Sequence, residues 1–87
     1  MPEISRFYGI VIYMFTGDRE HNPPHFHAEY QGHKAIFYLN GDVKTSKMPI
    51  KQIKLIDAWA EIHQDELLEA WNLAMSGKPL FKIEPLR

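Results

Sequence analysis

The chain contains no cysteine. A disulfide framework, a thiolate zinc site and a cysteine nucleophile are therefore all excluded. Long apolar runs are missing too. The longest, residues 10–15, is far too short to span a bilayer. The opening Met1-Pro2-Glu3-Ile4-Ser5-Arg6 lacks the charged-then-apolar layout of a secretory leader. These absences predict a cytoplasmic protein with no membrane contact. Charge of one sign is also scarce: the formal net charge is −1, so no overall field draws nucleic acid to the molecule. Internal repeats and low-complexity segments are absent.

What is present is a short, aromatic-rich chain. Its 87 residues suit one domain, residues 1–87, and 45% of them are apolar. The rings of five Phe, four Tyr and two Trp carry much of the expected core, because each removes a large area from water. A domain of this size is marginally stable alone, so a homodimer or a complex with another protein is the default expectation.

Periodicity divides the chain into a strand-rich first half and a helix-rich second half. Residues 4–8 and 10–15 read as strands, the second apolar on both faces and hence central. Gly9 between them reads as a bulge or kink. His25-Phe26-His27-Ala28-Glu29-Tyr30 alternates, and a tight turn at Gln31-Gly32-His33 leads into a strand over 34–39. Asn40-Gly41 is a strong turn signal, with a short arm over 42–44 after it. Pro49 suits the first turn of a helix. Ile50, Ile53, Ile56 and Ala60 then recur at helical spacing, and Leu67, Leu68, Trp71, Ala74 and Met75 continue the pattern. One straight helix would be too long for so small a domain, so a break is expected at residues 63–65, with Asp65 capping a second helix. Phe81 and Ile83 flank Lys82 as a closing edge strand. The expected fold is α+β: a mostly antiparallel sheet, in the order β-β-β-β-α-α-β, with two helices packed on one face.

The most chemically pointed segment is His21-x3-His25-x-His27-x-Glu29. On a strand, residues two apart share a face about 6.5–7 Å apart. Imidazoles at that spacing can converge on one ion or one substrate. In one reading, His25 and His27 bind a divalent transition metal such as zinc or nickel, completed by Glu29 or His21. In another, no metal is needed, and two histidines act as acid and base on a phosphodiester with His21 and Glu29 assisting. The bland alternative is that the row is the wet face of the sheet.

The remaining polar signal is a split of charge. Lys44, Lys47, Lys51 and Lys54 cluster, whereas residues 55–77 hold no lysine or arginine but do hold Asp57, Glu61, Asp65, Glu66 and Glu69. The lysines are candidates for holding phosphates of a nucleic acid. His63 falls on the apolar stripe and reads as a packing residue. Leu67, Leu68, Trp71 and Met75 exceed what one sheet face can cover, which marks them as an interface with a partner or a second copy.

Taken together, Pro2-Glu3-Ile4-Ser5-Arg6-Phe7-Tyr8-Gly9-Ile10, His21-Asn22-Pro23-Pro24-His25-Phe26-His27-Ala28-Glu29-Tyr30, Met48-Pro49, Trp59-Ala60-Glu61-Ile62-His63 and Glu66-Leu67-Leu68-Glu69-Ala70-Trp71 resemble a family of small bacterial proteins, domain of unknown function 4160. The resemblance implies a two-gene setting like a toxin–antitoxin pair, with this chain as the toxin-like member beside a cognate small protein. It supplies no catalytic residue. Three functions follow as expectations. The first is a toxin-like module that acts on RNA through the histidines. The second is a non-enzymatic interaction or co-regulatory module. The third is a small metal-binding enzyme.

Overall fold

The first half of the chain is a series of tight reversals, and the backbone angles show why. In a computed structural model, which describes residues 3–16, 23–45 and 47–86, β1 (Glu3–Phe7) and β2 (Ile10–Tyr13) are joined by Tyr8 and Gly9 alone. Their φ values are 48° and 78°. Two successive left-handed residues make the reversal whose twist matches paired strands. Gly9 is thus half of a hairpin turn, not a bulge. β3 (His25–Tyr30) and β4 (His33–Tyr38) are joined the same way by Gln31 and Gly32, with φ of 47° and 82°. At Asn40-Gly41 the chain reverses again into β5 (Val43–Thr45). There the Tyr38 amide donates to the Asp42 carbonyl at 2.8 Å, and the Asp42 amide to Asn40 Oδ1 at 2.9 Å. The sheet is antiparallel throughout, and strand order in space is strand order in sequence, β1 to β5.

Register sorts the side chains onto two faces. Phe7, Ile10, Ile12, Phe26, Ala28, Ala35 and Phe37 share one face and are buried. Trp59 of α1 (Ile50–Ile62) covers them, its ring 5.4 Å from Phe7 and 5.7 Å from Phe26. Leu67, Ala70 and Ala74 of α2 (Gln64–Met75) join the same cluster. The two helices meet at His63, where the expected break lies. Asp65 does not cap α2. It stands with Glu66 in the first turn, where negative charge complements the helix dipole. The His63 ring packs on Trp59 and is 2.6 Å from a Glu66 oxygen. No helix among the described residues is long and apolar enough to cross a membrane.

Two expectations need correcting. Residues 78–86 form no strand. Pro79 and Pro85 have no amide to offer a ladder. The Glu84 carbonyl accepts from Trp59 Nε1–H at 2.8 Å. A single backbone bond, Ile83 N–H to the Ile4 carbonyl at 2.8 Å, ties this segment to β1. The proposed interface set also dissolves. Leu67 and Trp71 are buried and Met75 is half-buried, leaving only Leu68 exposed. Trp71 is covered within the main core cluster, and its ring also lies 4.9 Å from that of His25.

The turn at Gly9 gives a direct test of this architecture. A Cβ there would sit 3.4 Å from the Tyr30 ring, whereas a Cβ at Gly32 would meet nothing within 4 Å. Gly9→Ala and Gly32→Ala should each lose about 1–2 kcal/mol from the left-handed backbone, and Gly9→Ala somewhat more. Urea midpoints of the two variants check this. An unchanged midpoint for Gly9→Ala would mean the turn is built otherwise.

Candidate functional site

Hairpin register assembles the histidine site. The two-residue turn at Gln31-Gly32 pairs Tyr30 with His33, which places His25 opposite Tyr38 and His27 opposite Ile36. On the other side of β3, Tyr13 faces His27 and Val11 faces Glu29. His25 and His27 therefore share a face with Tyr13 and Tyr38, and their ring centroids are 5.4 Å apart.

Each imidazole is held by aromatic neighbours. His27 stacks on Tyr13, with rings 13° from parallel and 5.4 Å apart, and meets the edge of Phe15 at 4.8 Å. His25 lies against Tyr38 and Trp71 and is 6% exposed, so the row is not a plain wet surface. Its Nδ1–H donates to the Pro23 carbonyl at 2.8 Å. A carbonyl accepts only, so in the neutral ring the lone pair belongs to Nε2. The stiff Pro23-Pro24 approach is what brings that carbonyl within reach.

Beside His25 opens a groove of about 410 Å³ lined by Pro23, Tyr38, Asn40, Asp42, Val43 and Lys44. The Lys44 ammonium lies 5.8 Å from the centre of the Tyr38 ring. A positive charge, a half-buried aromatic ring and two imidazoles thus occupy one neighbourhood. The arrangement can take up a proton at one ring, deliver one at the other and hold an anion near Lys44.

Not all of the expected set gathers here. Glu29 is opposite Lys34, further along the strand from the groove. Among the described residues, no three His, Asp or Glu side chains come together closely enough to hold a metal ion, so His25, His27 and Glu29 do not form a ligand group. His21 lies outside the described residues. The four lysines are not one patch around the histidines. Lys51 lines a different groove beside Tyr8. Tyr8 lies next to the Ile10–Tyr30 pairing, at the opposite end of β3 from His25. That is about 16 Å away at the usual rise of a strand. Lys47 and Lys54 are exposed. Conversely, Tyr13, Phe15, Tyr38 and Trp71 were not foreseen around the histidines. Counting outward from the Gln31-Gly32 turn would have found Tyr38.

Among known proteins, the model of one family, described as Domain of unknown function (DUF4160), matches residues 9–72. No curated protein and no solved structure matches the chain. The matched stretch runs from the first hairpin turn into α2 and contains the whole histidine row.

Proposed function

The chain belongs to the DUF4160 family, and we propose that it is a toxin-like module that cleaves RNA by acid–base chemistry at His25 and His27. The observation that carries this reading is the imidazole pair itself, two rings 5.4 Å apart with the tautomer of one fixed by a backbone carbonyl. His25 Nε2 takes the proton from a ribose 2′-hydroxyl. The 2′-oxygen attacks the adjacent phosphorus, and the bond to the 5′-oxygen of the next nucleotide breaks. His27, protonated, gives its proton to that departing oxygen. The products are a 2′,3′-cyclic phosphate and a free 5′-hydroxyl, so protons and bonds balance. Lys44 lends positive charge to the phosphate, and Tyr38 offers a ring to an unpaired base. In this reading a cognate protein partner holds the module in check.

Incubating the pure protein with single-stranded RNA tests it. Cleavage should leave cyclic phosphate ends, continue in excess chelator, and trace a bell against pH with one imidazole neutral and the other charged. Absence of cleavage at every pH, or cleavage abolished by chelator, would overturn the reading. In the absence of cleavage, an interaction module becomes the better description. Its support is the second groove, beside Tyr8.

A further inference from the structure

The groove beside His25 has one wall that the proposed proton transfers do not use, the turn between β4 and β5. Register carries the His25–Tyr38 pair across to Asp42, one residue beyond the pairing of Phe37 with Val43. His25, Tyr38 and Asp42 thus lie in one row across the sheet. The Tyr38 amide fixes that row by donating to the Asp42 carbonyl at 2.8 Å. At the usual spacing of strands, Asp42 stands about 10 Å from His25. The next row holds His27, Ile36 and Lys44. The turn also orients Asn40, whose Oδ1 accepts from the Asp42 amide at 2.9 Å. A backbone N–H only donates, so the atom it meets is the oxygen, and the Asn40 NH2 group is left to the groove. Asn40 and Asp42 both line that groove. Its wall therefore offers, side by side, the donors of Asn40 and the two acceptor oxygens of Asp42.

We infer that this groove reads guanine, so that RNA is cut after guanosine. The pairing edge of guanine runs acceptor, donor, donor: O6, N1–H and N2–H. The Asn40 NH2 complements O6, and the two oxygens of Asp42 complement the two adjacent donors. Cytosine presents the reverse order and sets acceptors against the carboxylate. Uracil has one donor between two acceptors, and adenine has one amino group beside an acceptor. Each of the three leaves an acceptor where guanine has a donor. Tyr38 supplies the surface on which the base stacks. Its ring is 5.4 Å from that of His25, so the ribose of the stacked guanosine comes beside the imidazole that takes the 2′-proton. Lys44, in the next row, meets the phosphate. A carboxylate repels phosphate, so Asp42 suits a nucleotide only where it meets the base.

The inference rests on the RNA reading of the histidine pair and names its substrate. Two measurements on the full chain keep the two apart. The first is a nuclear magnetic resonance titration with the 3′-monophosphates of guanosine, adenosine, cytidine and uridine, which bind without being cleaved. Guanosine 3′-monophosphate should shift the signals of the Tyr38 ring, the Asn40 side-chain amide and Val43. It should bind about tenfold more tightly than the other three. Asp42→Asn should erase that preference, because it exchanges an acceptor for a donor. Asn40→Asp should weaken it as well, although the new carboxylate still accepts from the Asp42 amide. The second measurement maps the cuts in single-stranded RNA of mixed sequence, where upstream fragments should end in guanosine 2′,3′-cyclic phosphate. Equal binding of the four nucleotides, preference for another base, or shifts confined to residues outside the groove would each overturn the inference. Cleavage with no regard to base would overturn it too, while leaving the acid–base reading in place. Selective binding of guanosine 3′-monophosphate by a protein that cuts no RNA would do the reverse, upholding the guanine groove and removing the catalytic reading.

Discussion

Replacing either histidine of the pair should lower RNA cleavage by about a hundredfold or more, the usual loss when a proton donor or acceptor is removed from a reaction. The choice of replacement matters, because His25 is buried between Tyr38 and Trp71. Alanine there would open a cavity and confuse stability with chemistry. Asparagine retains a side-chain N–H of similar reach for the Pro23 carbonyl but cannot titrate. His25→Asn and His27→Asn are therefore the informative variants, with the melting curve as the check on folding. Each single variant should lose nearly as much rate as the double variant, since neither ring can perform the other's transfer. The bell in the pH–rate profile should lose its acid limb in one variant and its alkaline limb in the other. A folded double variant that cleaves as fast as the wild type would end the catalytic reading.

The largest effect on stability should come from Trp59. Its ring is fully buried, packs on Phe7, Phe26 and His63, and donates its N–H to the Glu84 carbonyl. Trp59→Ala should cost about 3–5 kcal/mol, the range for deleting a large aromatic from a core. A domain of this length has on the order of 4–13 kcal/mol in total, so the variant should be close to unfolding at room temperature. Trp59→Phe is the gentler probe. It keeps a ring against Phe26 but leaves the Glu84 carbonyl to water, which should cost about 1–3 kcal/mol when the lost hydrogen bond and reduced packing are combined. Urea denaturation followed by circular dichroism measures both. A Trp59→Ala variant with a near-wild-type midpoint would show that the helices do not depend on this contact.

The elements of the fold were largely readable because their signals are local. Alternation at residues 25–30, the turn after Tyr30 and the helical spacing after Pro49 each report on neighbouring residues, and each appears in the structure, except that His33 opens β4 instead of closing the turn. Failures occurred where an outcome depended on distant partners. Whether residues 81–83 pair as a strand depends on the β1 edge and on which group claims the Glu84 carbonyl. Whether Trp71 is surface or core depends on residues far away in sequence, the buried sheet residues of its cluster and the His25 ring among them. Gly9 was read as a bulge because Tyr8, a bulky residue, gives no hint of the left-handed φ it adopts. At the site, the alternation put His25, His27 and Glu29 on one face correctly, but a shared face is not a shared focus. Only the cross-strand neighbours separate Glu29, beside Lys34, from the histidines, beside Tyr38 and Tyr13.

The order of the strands also bears on how quickly the molecule forms. Because each strand pairs with the next in sequence, most of the sheet can assemble from short-range contacts, and two of its reversals close through only two residues. Little loop-closure entropy is spent before contacts are gained, which favours a fast folding transition. The bond from Ile83 to Ile4 is the opposite case, since it joins segments from far apart in the chain. A contact made only after the rate-limiting step changes how fast a molecule opens more than how fast it closes, and that is the expected result of weakening this one. The segment that forms no strand would then serve as a latch on kinetic lifetime, with Ile83→Ala expected to speed unfolding more than it slows folding.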